Sequence, residues 1–178
     1  FAGDYELFDL PGLEITVEGE KYLAINDVSF SRKPRRGVAE LSYRISGEEV
    51  GHVRCDGLVA STATGSTGYN LANHGPILAW GVQGYAVSYI APHTLTGRPL
   101  VVAPTDVMHV VDHGVQLRVA YAGRGDVQAP TQRHEFAGKV HELVEPSGLD
   151  AHIRLQRGRE LTFLPRRLGG WGIRRMKR

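Results

Sequence analysis

The sequence has a single cysteine, Cys55, and no apolar run that approaches the ~20 residues of a membrane-spanning helix. One cysteine excludes an internal disulfide and fits a reducing compartment. The chain starts at Phe1 with neither a basic segment nor an apolar block, so we expect no signal peptide at this point. It also starts without methionine, so we expect it to begin within a longer gene product. These absences predict a cytoplasmic protein that does not enter the membrane.

Excess charge and interleaved aromatic residues are also scarce. The formal net charge is +2 and aromatic residues make up 8% of the chain, so we do not expect a nucleic-acid partner. The basic residues are unevenly spread, because no acidic residue follows Glu160. We therefore divide the chain into one domain, 1–165, and a basic C-terminal tail, 166–178. The tail is either a solvated terminus or an arm that faces phosphates or a partner.

Alternation of apolar and polar residues with a period of two is the main pattern, which is typical of strands with one buried face. It occurs in 13–18, 38–45 and 115–121, and continuous apolar stretches at 22–25, 58–60, 86–90 and 100–103 indicate more deeply buried strands. Turn residues separate them, as at Ser46-Gly47 and Pro146-Ser147-Gly148. The pattern predicts a mainly β fold, a layered antiparallel β-sandwich. Residues 128–149 carry the least pattern and are expected to form a loop.

One short helix is expected after the segment Thr64-Gly65-Ser66-Thr67, whose side chains would cap it. The helix would run over Gly68–Asn73 and end at Gly75-Pro76. A buried strand thus leads into a turn rich in glycine and hydroxyl groups. A glycine there permits a positive φ and the close approach of a ligand, and the free N–H groups suit a nucleotide or its phosphates. The hydroxyls that would add donors and acceptors belong to Ser61, Thr62, Thr64, Ser66 and Thr67. An ordinary helix cap would show the same pattern.

Several separated motifs resemble the NAD kinase family in order and spacing. They are Asn26-Asp27, Asp56-Gly-Leu, the run Ser-Thr-Ala-Thr-Gly-Ser-Thr-Gly-Tyr at 61–69, Gly75-Pro76-Ile77, Ala91-Pro-His-Thr-Leu and Arg98-Pro-Leu. The likeness covers about residues 8–105. The Gly-Lys-Ser/Thr of P-loop kinases and the Gly-x-Gly-x-x-Gly of dehydrogenases are both missing. The resemblance implies that the complete protein phosphorylates the adenosine ribose 2′-hydroxyl of NAD to give NADP. The phosphoryl donor would be ATP or polyphosphate with Mg²⁺ or another divalent cation.

The resemblance also implies the residues of the adenosine pocket. Asn26 would hydrogen-bond the adenine, and Asp27 would accept the ribose hydroxyls, where many relatives carry the longer Glu. Thr64, Thr67 and the backbone of Gly68 would line the same pocket. The alternative for Asn26-Asp27 is that they are only a turn or a strand end.

For the rest of the dinucleotide, the resemblance implies that Tyr69 packs beside it. Asp56 and the backbone of Ala91 would bind the nicotinamide carboxamide, in relatives often from a neighbouring subunit, so a homodimer or homotetramer is expected. Tyr69 could instead be an ordinary core aromatic, and Asp56 could cap a turn. His93 has no chemical step assigned and is expected to be structural.

The chain departs from the family pattern at three points. The catalytic Gly-Gly-Asp-Gly element of an N-terminal α/β domain is absent, and Gly125-Asp126 lies in what looks like a surface turn, so no catalytic residue is assigned. Ala72 replaces a common serine, and an Asp-Gly-Gln/Arg hairpin is missing after Val111. We therefore expect this chain alone to be inactive. The alternative function is a non-catalytic nucleotide-binding or assembly module.

Other chemistries have weaker support. His109 and His113 would share one strand face while Asp112 points to the other, which leaves too few aligned ligands for a metal site. A serine hydrolase needs Gly-x-Ser-x-Gly, and the segment from Gly65 to Gly68 is one residue too short. A lipid kinase of related architecture is disfavoured by the Thr-Gly-Ser-Thr-x-Tyr element.

Overall fold

The computed structural model describes residues 10–17, 19–35, 37–95, 97–113, 117–124, 140–143 and 150–156. Within these ranges the chain forms eleven strands, one 3₁₀ turn and one short α-helix. The strands are β1 (Gly12–Val17), β2 (Glu20–Arg32), β3 (Ala39–Ile45), β4 (Glu48–Cys55), β5 (Gly57–Ser61), β6 (Tyr85–Ile90), β7 (Leu100–Val102), β8 (Met108–Asp112), β9 (Leu117–Arg124), β10 (Val140–Leu143) and β11 (Asp150–Gln156). The 3₁₀ turn is Gly65–Thr67 and α1 is Tyr69–Ala72.

The strands form one antiparallel sheet in the order β4-β3-β8-β11-β1-β2-β5-β6-β7, and β9 and β10 branch from β2. The long strand β2 explains the branching. Its first half, from Glu20 to Ala24, pairs with β1, whereas Asp27 to Ser31 pair with β5. Residues of β2 on both sides of this change of partner also pair with β9, and the register of that pairing shifts between Ala24 and Val28 of β2. β2 therefore changes its partner from β1 to β5 between Ala24 and Asp27, and we call this place the switch point of β2.

The two arms of the sheet fold over one another and enclose the core. Tyr43 of β3 and Tyr89 of β6 lie far apart in the strand order, yet their ring centroids are 5.8 Å apart. The hydroxyl of Tyr85 on β6 donates to the carbonyl of Ile153 on β11 at 3.3 Å. Buried residues from both arms, including Leu13, Phe30, Leu41, Leu58, Val87, Met108 and Ile153, form one hydrophobic cluster. The predicted mainly β, layered antiparallel architecture with one short helix is confirmed.

The turn between β3 and β4 follows from its sequence. Ser46 (φ 50°) and Gly47 (φ 89°) both have positive φ, as a two-residue type I′ hairpin requires. Beyond the turn, Tyr43 pairs with Gly51 and Arg44 with Glu49, so Val50 is the extra residue of a β-bulge. Val50 is exposed, and the bulge breaks the alternation of β4. This is why the pattern did not predict that strand.

The structure differs from the sequence-based expectations elsewhere too. Strands β8 and β11 were not predicted, and residues 140–143 form β10 within the expected loop, so that part of the expectation is wrong. In the alternating segment 13–18 the polar residues are expected to face solvent, but Glu14 is buried, with Oε1 3.4 Å from Nζ of Lys21. The basic tail 166–178, the turn at Pro146–Gly148 and Gly125-Asp126 lie outside the described residues. Neither the 3₁₀ turn nor α1, the helices of the described part, has the length and apolarity to cross a membrane.

Candidate functional site

The switch point of β2 anchors the end of β5. Thr62, directly after β5, donates its backbone N–H to the carbonyl of Asn26 at 2.9 Å. The hydroxyl of Thr62 also bonds the carbonyls of Ile25 at 2.7 Å and Asn26 at 3.2 Å. The side chain of Asn26 stays exposed to solvent. The backbone of the switch point is thus fixed by protein contacts, and its amide side chain is available for a ligand.

Gly65 brings the 3₁₀ turn into contact with the same residue. A Cβ at Gly65 would lie 2.0 Å from the backbone oxygen of Asn26, closer than any real contact. Gly65 does not have a positive φ, and Gly68 has φ −94°. The expectation that a glycine serves a positive φ in this turn is therefore wrong. Gly65 is needed because two backbone segments meet there.

Two buried polar side chains hold the turn together from within. The hydroxyl of Ser66 donates to the carbonyl of Ala63 at 2.7 Å and accepts the N–H of Leu78 at 3.0 Å. Nδ2 of Asn70 donates to the carbonyls of Ser66 and Pro76, each at 2.9 Å. Both side chains are fully buried. They connect the turn to the segment after α1, and sequence reasoning missed Asn70.

The burial pattern corrects the predicted set of hydroxyl groups. Ser61, Thr62 and Ser66 are buried and are not exposed to a ligand, whereas Thr64 is half-buried and Thr67 is exposed. The predicted capping also differs, since Thr64 makes no side-chain cap bond. Instead the hydroxyl of Thr62 accepts the N–H of Gly65 at 3.2 Å. The α-helix is a single turn, shorter than the predicted Gly68–Asn73.

Asp27 faces the turn from β2. Its Oδ2 would lie 3.7 Å from a Cβ on Gly68. The carboxylate is half-buried, and desolvation raises its pKa above the ordinary value of 3.8. Within the ranges that the structure describes, this carboxylate has no hydrogen-bond or ion-pair partner. A partly desolvated acceptor is thus left open beside the turn, where ribose hydroxyls could satisfy it.

The structure brings most of the predicted adenosine residues together. Asn26 contacts the turn at Gly65, and the carboxylate of Asp27 faces it at Gly68. Tyr69, which begins α1, is 42% exposed and is therefore not a core aromatic. Asn26, Asp27, Thr64, Thr67, Gly68 and Tyr69 form one group, which we call the turn site.

Asp56 lies at the opposite end of β5, as the single residue between β4 and β5. Its Oδ1 accepts from Nε of Arg32 at 2.6 Å and its Oδ2 from Nη2 of Arg32 at 3.2 Å. This pairing lowers the pKa of Asp56 below 3.8. Nε2 of His93 is 3.9 Å from Oδ1, so His93 adds a charge interaction only when protonated. Sequence reasoning missed Arg32, because its partnership depends on the pairing of β2 with β5.

Ala91 lies beside Asp56, as the predicted nicotinamide pair requires. The backbone N–H of Asp56 donates to the carbonyl of Ile90 at 2.8 Å, and Ala91 follows directly. Ala91 is exposed and has φ 44°, an uncommon conformation for a residue with a side chain. Asp56 and Ala91, with Arg32 and His93, form what we call the corner site.

The two sites are separate within one chain. Asp56 of the corner site directly precedes β5, and the turn site follows the end of that strand at Ser61. The five residues from Asp56 to Ser61 span about 17 Å at ~3.3 Å per residue. One chain therefore presents the two groups of residues at opposite ends of a strand.

The two histidines that were weighed as metal ligands, His109 and His113, make other contacts. His109 stacks on His152 with ring centroids 4.2 Å apart, and His113 hydrogen-bonds the hydroxyl of Ser42 at 2.7 Å. Across the described ranges no set of three or more His, Cys, Asp or Glu residues is arranged to hold a metal ion.

Comparison with known proteins decides the family. Residues 25–136, more than half of the chain, match the model of the ATP-NAD kinase C-terminal domain. The chain belongs to the NAD kinase family. The matched range contains every residue of the turn site and the corner site.

Named relatives agree with this assignment. An NAD kinase of Nitrosomonas eutropha is 42% identical over 103 residues, which cover 56% of this chain and 35% of the relative. An NAD kinase of Acidovorax sp. (strain JS42) is 33% identical over 144 residues, which cover 78% of this chain and 45% of the relative. The chain thus spans less than half the length of these NAD kinases.

Solved structures share the fold. Yeast NADH kinase complexed with NADH superimposes with a TM-score of 0.69 at 19% identity, covering 85% of this chain and 42% of that chain. An NAD kinase from Archaeoglobus fulgidus in complex with ATP gives a TM-score of 0.62 at 24% identity, covering 86% of this chain and 53% of that chain. At these identities the likeness establishes the fold of an NAD kinase domain.

Proposed function

We propose that the complete protein phosphorylates the adenosine ribose 2′-hydroxyl of NAD, with ATP or polyphosphate as donor, to give NADP. This chain supplies most of the NAD pocket. The observation that carries the proposal is the half-buried carboxylate of Asp27, which stands beside Asn26 and the turn without a partner among the described residues. The names of the relatives support it, as do the NADH and ATP complexes of the two structural neighbours.

The turn site holds the adenosine half in this proposal. Asn26 offers both a donor and an acceptor to the adenine edge, and Asp27 accepts the ribose hydroxyls. Thr64, Thr67 and the backbone of Gly68 line the pocket, and Tyr69 packs against the dinucleotide. Phosphoryl transfer depends mainly on positioning and charge stabilisation. The turn site therefore contributes by fixing the 2′-hydroxyl, and it does so with a backbone that protein contacts already hold in place.

The catalytic base is not in this chain. The Gly-Gly-Asp-Gly element is absent from the sequence. In this proposal Mg²⁺ or another divalent cation arrives with the phosphoryl donor. We place the complete enzyme in the cytoplasm, because the single cysteine of this chain fits a reducing compartment.

The activity test uses this chain and, in parallel, the full product of its gene. We expect NADP formation from the full product only, and at most weak NAD binding by the chain in calorimetry. Turnover by the chain alone would contradict the assignment of the base. NAD binding without turnover by the full product would favour the alternative, a non-catalytic nucleotide-binding module.

We further propose that the pocket is shared between two copies in a homodimer or homotetramer. The support is the separation of the two half-sites along β5, because the corner site of one copy would then complete the turn site of another. The test mixes two inactive variants of the full product, Asp27→Ala and Asp56→Ala. Hybrid assemblies would contain some pockets with both aspartates intact, so activity should return on mixing. A mixture that stays inactive while hybrids form would contradict a shared pocket.

A further inference from the structure

Asp56 lies between β4 and β5, and the ends of β2 and β6 bond its backbone. The backbone N–H of Arg32, at the end of β2, donates to the carbonyl of Asp56 at 2.9 Å. Asp56 in turn donates its N–H to Ile90 at the end of β6 at 2.8 Å. Both polar groups of its peptide backbone are therefore used by neighbouring strands. The backbone of Asp56 is fixed, and only its side chain remains adjustable.

Arg32 removes that remaining freedom. Its Nε and Nη2 each bond a different oxygen of the Asp56 carboxylate, at 2.6 Å and 3.2 Å. Two parallel bonds from a planar guanidinium set the plane of the carboxylate as well as its position. His93 cannot do the same, because its Nε2 is 3.9 Å away, beyond hydrogen-bond distance.

The paired carboxylate can still accept a ligand. Each carboxylate oxygen has two lone pairs, and Arg32 uses one of each. The side chains of Arg32 and Asp56 are 34% and 30% exposed, so the pair is partly open to solvent. The free lone pairs suit an amide N–H, which lies in one plane as the carboxylate does.

We propose that Arg32 is a positioning residue for NAD recognition: it holds the Asp56 carboxylate in the orientation that accepts the N–H of the nicotinamide carboxamide. This inference rests on the proposed function, and it goes beyond it by assigning a residue that does not touch the substrate. It predicts an effect confined to ligands that carry a nicotinamide.

The test measures calorimetric affinities of the full gene product for two probes, NAD and ADP-ribose, which lacks the nicotinamide. Arg32→Gln should weaken NAD about tenfold, since one partner of a charge-assisted bidentate pair is lost, and should change ADP-ribose less than about twofold. Arg32→Lys keeps the charge but loses the fork, so it should restore only part of the NAD affinity. In an Asp56→Ala background, Arg32→Gln should have no further effect on NAD. Arg44→Gln, on the outward face of β3, is the matched control and should leave both affinities unchanged.

Three results would overturn the inference. Equal weakening of NAD and ADP-ribose by Arg32→Gln would show a general structural role, and unchanged NAD affinity would show no role. Additive effects of Arg32→Gln and Asp56→Ala would show that Arg32 does not act through Asp56. If the wild-type full product bound neither probe, the proposed function itself would fail, and the inference with it.

Discussion

One glycine at the start of β5 and one in the 3₁₀ turn after it each lie against a backbone carbonyl of β2. A Cβ at Gly57 would be 2.1 Å from the oxygen of Phe30, and a Cβ at Gly65 would be 2.0 Å from the oxygen of Asn26. The two half-sites are therefore attached to β2 in the same way. A side chain at either position would have to move backbone rather than another side chain.

The aspartates of the two sites differ. Asp56 is paired with Arg32, which holds its pKa below 3.8. Asp27 is half-buried, and desolvation holds its pKa above 3.8. The carboxylate of the corner site is thus already paired with a charged side chain of the same protein. The turn site keeps an unsatisfied acceptor, and we infer that this acceptor marks the half-site whose ligand supplies the missing hydrogen bonds.

The largest effect should come from the glycine contacts. Gly57→Ala and Gly65→Ala should each lower the free energy of unfolding by about 3 kcal/mol, because backbone atoms must shift to admit the methyl group. Urea denaturation followed by circular dichroism measures this. Gly81→Ala is the control: nothing lies within 4 Å of a Cβ there, so only its φ of 90° opposes the side chain, and we expect a loss of about 1 kcal/mol. A wild-type urea midpoint for Gly65→Ala would disprove the close contact with Asn26.

The next largest effect on stability distinguishes a buried side chain that supports the turn, Asn70, from an exposed one, Asn73. Asn70→Ala leaves the carbonyls of Ser66 and Pro76 without their donor in a buried place and should cost about 2–3 kcal/mol. Asn73→Ala removes one bond, from Nδ2 to the carbonyl of Tyr69 at 2.8 Å, in an exposed place. It should cost about 0.5 kcal/mol, since water replaces the lost donor. Equal losses in the two variants would show that Asn70 has no special part in the turn.

Part of this fold could be predicted from the sequence because one face of several strands is buried. The alternation in β3 sorts Leu41 inward and Arg44 outward, as the structure has it. The strand β4 escaped prediction because Val50 is the extra residue of a bulge, which shifts the alternation. The alternation of apolar and polar residues reflects the burial of one face of a strand, and a bulge interrupts that alternation.

The candidate site shows the same limit. The family resemblance located Asn26 and Asp27, and the structure places both against the turn. Arg32 bonds a residue 24 positions away, and nothing local marks it until the pairing of β2 with β5 is known. Asn70 looks like an ordinary helix residue until its two buried acceptors are seen. Contacts between distant segments determine these roles, and motif spacing does not contain them.

A smaller effect should come from the carboxylate of Asp27, and it should appear in NAD binding and not in stability. Asp27→Asn in the full gene product should weaken NAD binding by about 1–2 kcal/mol, because an amide accepts less well from two hydroxyls. The same change should not lower the stability of the ligand-free protein, since it removes a desolvated charge that has no partner among the described residues. Calorimetry with NAD and urea denaturation at pH 7 measure the two quantities. A loss of stability together with unchanged NAD affinity would assign Asp27 a structural role instead.

The smallest effect, and the most direct measure of the difference, is in the titration of the two carboxyl groups. A raised pKa in the folded state means that Asp27 contributes stability only as the pH falls through its folded value, and opposes folding above it. A lowered pKa means the reverse for Asp56, whose contribution is complete above 3.8 and is lost as the pH falls through its folded value. Carboxyl carbon shifts in NMR should therefore show Asp27 titrating above 3.8 and Asp56 below it. Arg32→Gln should raise the pKa of Asp56 and leave that of Asp27 unchanged, because the main cause of the Asp56 shift is the hydrogen bond from Arg32. If both carboxyl groups titrated at the ordinary value, the two aspartates would not differ in environment. The carboxylate of Asp27 would then not be the unsatisfied acceptor that we assign to the turn site.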